Sequence, residues 1–433
     1  MDRANAILRK ADPILARAAW RLIPLMILMY VASFLDRVNI GFAALQMNQD
    51  LGFSPQVYGF GAGIFFWGYF LFEVPSNLML EKVGARLWMC RIMVTWGLLS
   101  MATAFVTGPV SFFAVRFLLG AAEAGLYPGM ILYMTYWFPQ ATRARFIALF
   151  LAAVPLSNVI GAPLSGWLLG IEGTLRGWQN MLLIEGIPSV LLGIAVLWWL
   201  PDSPRVAKWL TAEEKDIIAA RLAEDQKADA QIGTVHGFWE MLKDKRVWIL
   251  MIPDFSIVIG LYALGLWMPQ MVKEMGFTNI ETGWLVALAY FTAIASMMLL
   301  GLSSDRKGER AGHVAFAAVA GAAGLMGAAL LRDPVLVIAS FCLAASGIYG
   351  ALAVFWTLPT ALLRGTAAAA GLALINSFAN LGGFFGPSIT GWLKQLTGDY
   401  VLGLEVMAGM LCLAAVSVLL IGRAFFPRAW AAA

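Results

Sequence analysis

Two stretches of this chain place charged side chains inside otherwise apolar segments, Asp36 with Arg37 and Arg116 with Glu123. A charge at the centre of a membrane costs ~3 kcal/mol on insertion scales, so each group must face protein or water and have a partner. Arginine is a permanent, bidentate donor to carboxylates, and a carboxyl group in a low-dielectric site can bind and release a proton. These residue types therefore favour chemistry that involves organic anions and protons.

The same residues admit a structural interpretation. Arg116 and Glu123 are seven positions apart, which places them on one face of a helix, about 10 Å apart along its axis. Asp36–Arg37 and Arg116–Glu123 would then be neutralised pairs that hold neighbouring helices together. The residues alone leave both interpretations open, and the elements around them must decide.

The composition is that of a membrane protein. Of 433 residues, 61% are hydrophobic and 13% are charged, whereas soluble domains carry roughly 25% charged residues. The net charge of +4 lies in short basic runs between apolar stretches, which indicate membrane topology rather than a nucleic-acid surface. Three isolated cysteines and two histidines provide neither a disulfide framework nor a metal site, so we expect no cofactor and no metal.

Twelve apolar stretches are long enough to span a bilayer, at ~20 residues each. They predict an all-α integral membrane protein with twelve transmembrane helices. Six precede a polar segment and six follow it, which divides the chain into residues 1–200, a linker at 201–246 and residues 247–433. The predicted spans lie at 22–45, 57–80, 88–107, 110–134, 145–170, 178–200, 247–272, 280–302, 312–331, 334–360, 366–390 and 400–424.

Lysine and arginine decide the orientation. If both termini lie inside the cell, 24 of the 30 basic residues fall on inner segments and four on outer loops. Inner segments of membrane proteins carry the excess of bases. We therefore expect both termini and the linker to be cytoplasmic. From Ala207 to Ala230 the linker has helical composition and mixed charge, which favours an amphipathic helix along the inner face.

An internal repeat relates the two halves. Residues 76–86 follow the second span and residues 301–310 follow the eighth, and each segment has an acid, then a base, a glycine and a further base. Both segments resemble the loop signature of the major facilitator superfamily. The resemblance covers essentially the whole chain. It implies two six-helix bundles around a central cavity that opens to the two sides of the membrane in turn.

Within that superfamily the chain is most similar to the anion:cation symporter family. The motifs that carry the resemblance are Asp36-Arg37-Val-Asn39, Phe72-Glu73-Val-Pro75-Ser76-Asn77, Arg116…Gly120…Glu123, Leu200-Pro201-Asp202-Ser203-Pro204 and Asn376-Ser377…Asn380-Leu-Gly-Gly383…Gly386-Pro387. The resemblance implies transport of organic anions with protons, such as sugar acids, tartrate, phthalate and other aromatic acids. The amino-acid sequence of spans one to four resembles that of the tartrate transporters most.

The resemblance also implies roles for individual residues. The proton-binding acids fall on Asp36 and Glu123, and the anion-binding arginines on Arg37 and Arg116. The other predicted substrate contacts are Tyr69, Asn158, Trp356, Asn376 and Asn380; Asn158 alternatively bonds a neighbouring helix. Some sugar-acid members have a tyrosine two residues before the first acid. This chain has Phe34 there, which disfavours a sugar acid.

Three further acids have structural interpretations. Glu73 lies beside Pro75, so we expect its carboxyl to satisfy backbone groups freed by the proline kink. Asp254 is placed near the inner face, where it would snorkel or pair with a linker base. Glu185 falls near the end of a span and is expected to cap or anchor it. On this interpretation the carboxy-terminal half has almost no charge deep in its spans.

We therefore predict a secondary transporter that takes up a small organic anion such as tartrate together with protons. Its partners would be that anion, protons and the lipid bilayer, with no nucleic acid, and we expect a monomer in a bacterial inner membrane. Alternatives are a symporter for aromatic acids (phthalate, hydroxyphenylacetate) or sugar acids, a drug/proton antiporter and a membrane sensor that binds a solute without moving it. An enzyme is not expected, because no nucleophile–base pair, metal cluster or phosphate loop is visible.

Overall fold

The structure is a computed structural model that describes residues 2–230, 243–363 and 366–425. Residues 231–242 of the predicted linker, together with two of the counted bases, Arg364 and Arg428, lie outside the described residues. The described part of the chain is helical and has no strand. This confirms the predicted fold class as all-α.

Sixteen α-helices make up this part of the chain. They are α1 (Asp2–Asp50), α2 (Pro55–Val83), α3 (Ala85–Ala102), α4 (Pro109–Glu123), α5 (Leu126–Thr135), α6 (Gln140–Leu168), α7 (Gly177–Trp199), α8 (Ala212–Ala230), α9 (Lys245–Glu274), α10 (Asn279–Lys307), α11 (Ala311–Leu330), α12 (Pro334–Phe355), α13 (Thr357–Leu362), α14 (Thr366–Asn380), α15 (Gly382–Thr397) and α16 (Val401–Phe425). Single 3₁₀ turns lie at Thr103–Phe105 and Pro204–Val206.

Ten segments of the described residues are helical, long and apolar enough to cross a membrane. The two remaining predicted spans, 145–170 and 366–390, coincide with α6 and with the pair α14–α15. Helix α8, which lies in the linker, is tied to α1 by an ion pair between Arg17 and Glu214. The membrane-spanning helices could be predicted from the apolar stretches, because in lipid a helix satisfies all its backbone hydrogen-bonding groups internally.

Three spans are each divided into two consecutive helices. Between α4 and α5 the backbone turns at Gly125, whose φ of 88° is a left-handed conformation that favours glycine. The other two interruptions are single residues, Trp356 between α12 and α13 and Leu381 between α14 and α15, and at both the backbone keeps right-handed helical angles. Broken helices in transporters occur where backbone lines a cavity. Glu123, Trp356 and Asn380 each stand at one of these breaks.

The two halves, α1–α7 and α9–α16, touch closely at one side of the membrane. We call the side at which α1 begins the amino-terminal side, and the opposite side the far side. On the far side Tyr58 donates to the carbonyl of Leu266 at 2.9 Å, and Asn48 donates to Gln270 at 3.3 Å. A Cβ added at Gly59 of α2 would lie 2.5 Å from the carbonyl oxygen of Pro387 in α15. The far side is therefore closed by direct backbone contact between the halves.

Candidate functional site

A cavity of about 470 Å³ lies between the two halves. Its wall comes from α1, α2, α4, α5 and α6 of one half and from α9, α12, α13 and α14 of the other. The wall residues lie in the middle of these helices and towards the amino-terminal side, and the exposed Thr360 marks the mouth. With the far side closed, the structure is that of a cavity open to the amino-terminal side.

Arg37 is the centre of the site. Its guanidinium forms an ion pair with Glu123 and also donates to the hydroxyl of Tyr262 at 2.8 Å. Ser33 donates a second hydrogen bond to the same carboxyl oxygen of Glu123, at 2.8 Å. Arg37 is 7% and Glu123 1% exposed, so the pair is buried. Because Tyr262 belongs to α9, this hydrogen bond from Arg37 links the two halves of the protein. It lies where the closed far side ends and the cavity begins.

Asp36 faces away from this cavity. Adjacent residues of a helix point about 100° apart, and Asp36 points into the amino-terminal half between α1, α3 and α7. It accepts hydrogen bonds from Trp96 Nε1 at 2.7 Å, Ser100 Oγ at 2.9 Å, Ser189 Oγ at 2.5 Å and Asn39 Nδ2 at 3.4 Å. The alternative interpretation, in which Asp36 and Arg37 neutralise each other, is therefore wrong, since Arg37 pairs with Glu123.

Arg116 is also off the cavity wall. Its Nη2 donates to the carbonyl of Ala62 at 3.3 Å, its guanidinium lies 5.2 Å from the ring centre of Phe65, and its Nε has no partner among the described residues. The alternative interpretation that pairs Arg116 with Glu123 is wrong, because Glu123 pairs with Arg37. Arg116 precedes Glu123 by seven residues on α4, which places it about 10 Å closer to the far side.

Of the five remaining residues that were predicted to contact substrate, four line the cavity and one is buried elsewhere in the protein. Tyr69, Trp356, Asn376 and Asn380 line the cavity. Asn158 does not: it is buried, and its amide donates to the carbonyl of Val154 one turn earlier, at 3.2 Å. Of the nine predicted site residues, the structure brings six together around the cavity, namely Arg37, Glu123, Tyr69, Trp356, Asn376 and Asn380. Asp36, Arg116 and Asn158 lie outside it.

Glu73 is a wall residue that the sequence interpretation assigned to the backbone. Its carboxyl accepts a hydrogen bond from Ser377 of α14 at 2.5 Å, which connects the halves on the amino-terminal side. The expectation that it satisfies groups freed by Pro75 is therefore wrong. The position of Glu73 along α2 could have indicated a cavity-wall residue. Glu73 lies nine residues from Lys82, the last base of α2, which is about 13 Å along the helix and away from the membrane surface.

Asp254 is the second missed wall residue. It is 1% exposed, lines the cavity from α9, and its Oδ1 has no hydrogen-bond partner among the described residues. The linker base nearest in sequence, Arg246, pairs instead with Asp244 at 2.7 Å. The predicted position near the inner face is wrong, because Asp254 lies nine residues, about 13 Å, beyond Lys245 at the start of α9.

Glu185 likewise is not a capping residue at a span end. It lies within α7, 2% exposed, and accepts a hydrogen bond from Ser165 of α6 at 2.6 Å. Ser189, one turn further along α7, donates to Asp36. The amino-terminal half thus encloses a second buried acid close to Asp36.

The charges of the cavity wall are mostly negative. Arg37 is its one base among the residues that the structure describes, whereas Glu73, Glu123 and Asp254 are acids. Arg37 is already paired with Glu123. An anion that enters this cavity therefore meets no unpaired cation in the described wall. Nor do the described residues bring together a group of three or more side chains that could hold a metal ion.

The family model described as Major Facilitator Superfamily matches residues 26–387 of the chain. A protein of Agrobacterium vitis, provisionally named a tartrate transporter, is 49% identical over 413 residues, which cover 95% of this chain and 91% of that protein. The metabolite transport protein NicT of Pseudomonas putida, also provisionally named, is 46% identical over 93% of each chain. Among solved structures, the xylose transporter XylE of Escherichia coli in a partially occluded inward-open conformation has a TM-score of 0.74 at 14% identity, covering 94% of this chain and 98% of that one.

Proposed function

Because the chain belongs to the major facilitator superfamily and is a membrane transporter, not an enzyme, we propose that it takes up a small organic anion together with protons. We place the amino-terminal side in the cytoplasm on the distribution of lysine and arginine. The proposed location in a bacterial inner membrane rests on the bacterial transporters that the chain resembles. The proposed substrate is tartrate, on the strength of the relative from Agrobacterium vitis. The cavity then opens inwards, towards the compartment in which the anion is released.

The observation that supports this proposal is the buried ion pair of Arg37 and Glu123 on the cavity wall. While Glu123 is ionised, it occupies the guanidinium of Arg37. A proton on Glu123 removes that charge and frees Arg37 for a carboxylate, to which arginine donates two hydrogen bonds. Loss of the proton restores the pair and expels the anion. Anion and proton therefore bind together, which is the coupling that symport requires.

The membrane potential makes this coupling useful. A monoanion that enters a negative-inside cell is opposed by ~2.3 kcal/mol per 100 mV, whereas a monoanion with one proton moves no net charge. A dianion such as tartrate needs two protons to move without charge. Asp36 and Glu123 are the proposed proton carriers, and Arg116, about 10 Å nearer the far side, is the proposed anion contact when the cavity opens to that side.

Aromatic acids are the second candidate substrate class, and the ring content of the wall favours them. Six aromatic side chains line the cavity: Tyr30, Phe34, Tyr69, Tyr127, Tyr262 and Trp356. The ring centres of Phe34 and Tyr69 lie 4.7 Å and 5.3 Å, respectively, from the guanidinium carbon of Arg37. An aromatic acid could place its carboxylate at Arg37 and stack its ring on these neighbours.

Uptake into proteoliposomes tests the proposal, with labelled tartrate and 4-hydroxyphenylacetate and an imposed inward proton gradient. We expect wild type to accumulate at least one of them. Glu123→Gln should exchange internal for external anion but no longer accumulate it, because the neutral amide frees Arg37 permanently. Arg37→Gln should lose both activities, and Ser377→Ala, which alters only the bond to Glu73, should keep both. Outward movement driven by the same gradient would instead indicate an antiporter, and a Glu123→Gln protein that still accumulates anion would refute the mechanism.

A further inference from the structure

Five acidic side chains are buried in the described part of the protein. Four of them accept a hydrogen bond from another side chain: Asp36 from Trp96, Glu73 from Ser377, Glu123 from Arg37 and Glu185 from Ser165. Glu123 and Glu185 accept only at Oε1, and their Oε2 atoms have no partner among the described residues. Asp254 differs from all four, because it accepts no hydrogen bond from another described side chain and its Oδ1 has no partner there. Buried polar groups are normally satisfied, so an unsatisfied one requires an explanation.

The position of Asp254 shows where a partner would come from. Its side chain is 1% exposed and belongs to the wall of the transport cavity, as do Trp356 and Asn376 of the same half. A carboxyl oxygen accepts hydrogen bonds whether or not the group carries a proton. In the open cavity, water can pair with that oxygen. A cavity occupant with a hydroxyl or N–H donor at this position would replace the water, whereas an occupant without one would leave the oxygen unpaired at a cost in free energy.

Asp254 and Arg37 mark two levels of the cavity. Tyr262, which receives the hydrogen bond of Arg37, follows Asp254 by eight residues on α9, or about 12 Å along the axis. An occupant long enough to span these two levels would contact Arg37 at one end and Asp254 at the other, towards the amino-terminal side. A second carboxylate at that end would meet an acid, whereas a hydroxyl or N–H group would meet an acceptor.

We propose that Asp254 is a substrate-binding residue that selects anions carrying a hydroxyl or N–H donor at the end remote from the carboxylate bound by Arg37. This inference rests on the proposed function, because it requires the cavity to bind an organic anion. It favours the aromatic hydroxy acids over tartrate, whose remote end is a second carboxylate. It assigns the two ends of the substrate to the two halves of the protein. The amino-terminal half binds the charge through Arg37, and the carboxy-terminal half recognises the donor through Asp254.

Matched pairs of monocarboxylic acids test this assignment. 4-Hydroxyphenylacetate and phenylacetate, or 4-hydroxybutyrate and butyrate, differ only in a hydroxyl group at the end remote from the carboxylate. Binding to the purified, reconstituted full chain is measured by titration calorimetry, and uptake is measured beside it. We expect wild type to prefer the hydroxylated member of at least one pair by about 10- to 100-fold, as for a hydrogen bond to a charged group. Asp254→Leu should reduce that preference to less than about 3-fold and leave the affinity for the deoxy acid unchanged or higher.

Two further variants make the result specific to the acceptor oxygen. Asp254→Asn keeps an acceptor and should retain part of the preference. Thr292→Val removes a hydroxyl of α10 that lies outside the cavity wall and donates to the carbonyl of Ala289 at 2.8 Å, and it should leave the preference intact. A preference that survives in Asp254→Leu would overturn the proposal. So would loss of gradient-driven accumulation in both Asp254 variants with the preference unchanged, since Asp254 would then carry a proton.

The failure of this inference is distinguishable from failure of the proposed function. If wild type binds and accumulates these acids equally well with and without the hydroxyl, only the role of Asp254 is refuted. If wild type neither binds nor moves any of the four acids or tartrate, the organic-anion function fails, and the inference fails with it.

Discussion

Replacing Gly59 by alanine should change which side of the membrane the cavity faces. Gly59 lies where α2 crosses α15 on the closed far side, and an added Cβ would be 2.5 Å from the carbonyl oxygen of Pro387 and 3.2 Å from the Cα of Gly391. These atoms belong to the opposite half, so the clash exists only while the far side is closed. When the halves separate there, the methyl group has room.

The size of the effect follows from that geometry. The clashing atoms are backbone and cannot rotate away, so the closed far side is overpacked at a cost of about 1–3 kcal/mol. Such a difference between two states changes their ratio by about 5- to 150-fold. The substitution therefore favours the cavity that opens to the far side, because it penalises one conformation and not the other.

Cysteine labelling measures this shift in a background whose three native cysteines, Cys90, Cys342 and Cys412, are changed to serine. Thr360→Cys reports on the amino-terminal mouth, and Gln270→Cys, at a position 9% exposed on the far side, reports on the other. With Gly59→Ala, the far-side reporter should react with a membrane-impermeant maleimide about 5- to 150-fold faster. The reporter at position 360 should react more slowly.

Gly120→Ala is the matched control. Its Cβ would lie 1.9 Å from the carbonyl oxygen of Phe65, a contact between α2 and α4 within one half. This clash persists whichever way the cavity faces, so the thermal stability should fall while the ratio of the two labelling rates stays that of wild type. If Gly59→Ala behaves in the same way, with lower stability and unchanged labelling, the reasoning from the crossing of α2 and α15 is refuted.

Two predictions concern the ends of helices outside the membrane. Hydrogen bonds from Arg246 hold the pKa of Asp244 below its usual range, so its contribution to stability is present above the unfolded-state pKa and is lost as the pH falls through the lowered value. Asp244→Asn should therefore reduce stability by about 0.5 kcal/mol at pH 7 and by much less at pH 3, which thermal unfolding at the two pH values checks. Asp202 accepts a hydrogen bond from the backbone N–H of Arg86 in the first turn of α3, at 2.9 Å. Asp202→Ala should cost about 1 kcal/mol, as for a lost helix cap, whereas Asp202→Asn should cost less in the same melts; equal losses would show that the acceptor oxygen is not what matters.

The broad architecture could be predicted because it depends on local chemistry. Apolar stretches of about 20 residues become helices in lipid whatever their neighbours. The all-α fold and the membrane location follow, and the matched loops at 76–86 and 301–310 identified the family that the comparisons confirm. The interruptions between α4 and α5, α12 and α13, and α14 and α15 were not predicted. Glycines lie at two of them, Gly125 and Gly382, but glycine inside a span equally serves close helix packing, so residue type did not distinguish the two roles.

The candidate site was predictable only in part. Residue type alone singled out Arg37 and Glu123, and the structure places both on the cavity wall. Glu73 and Asp254 were assigned to structural roles although each lies about 13 Å along its helix from the basic end. Counting that depth would have shown that neither carboxyl reaches the membrane surface, but it would not have shown which of them has a partner.

The sequence by itself determined that the chain crosses the membrane many times, which side carries the bases, and which few charges are buried at a cost that demands a partner. Only the tertiary structure decided who those partners are. Arg37 pairs with Glu123 of α4 rather than with its neighbour Asp36. Asp36 instead accepts hydrogen bonds from Trp96 and Ser100 of α3, Ser189 of α7 and Asn39. The physical reason is that adjacent residues of a helix point about 100° apart. The partner of a buried charge is therefore set by the helices packed against each face, which the order of residues along one helix does not contain.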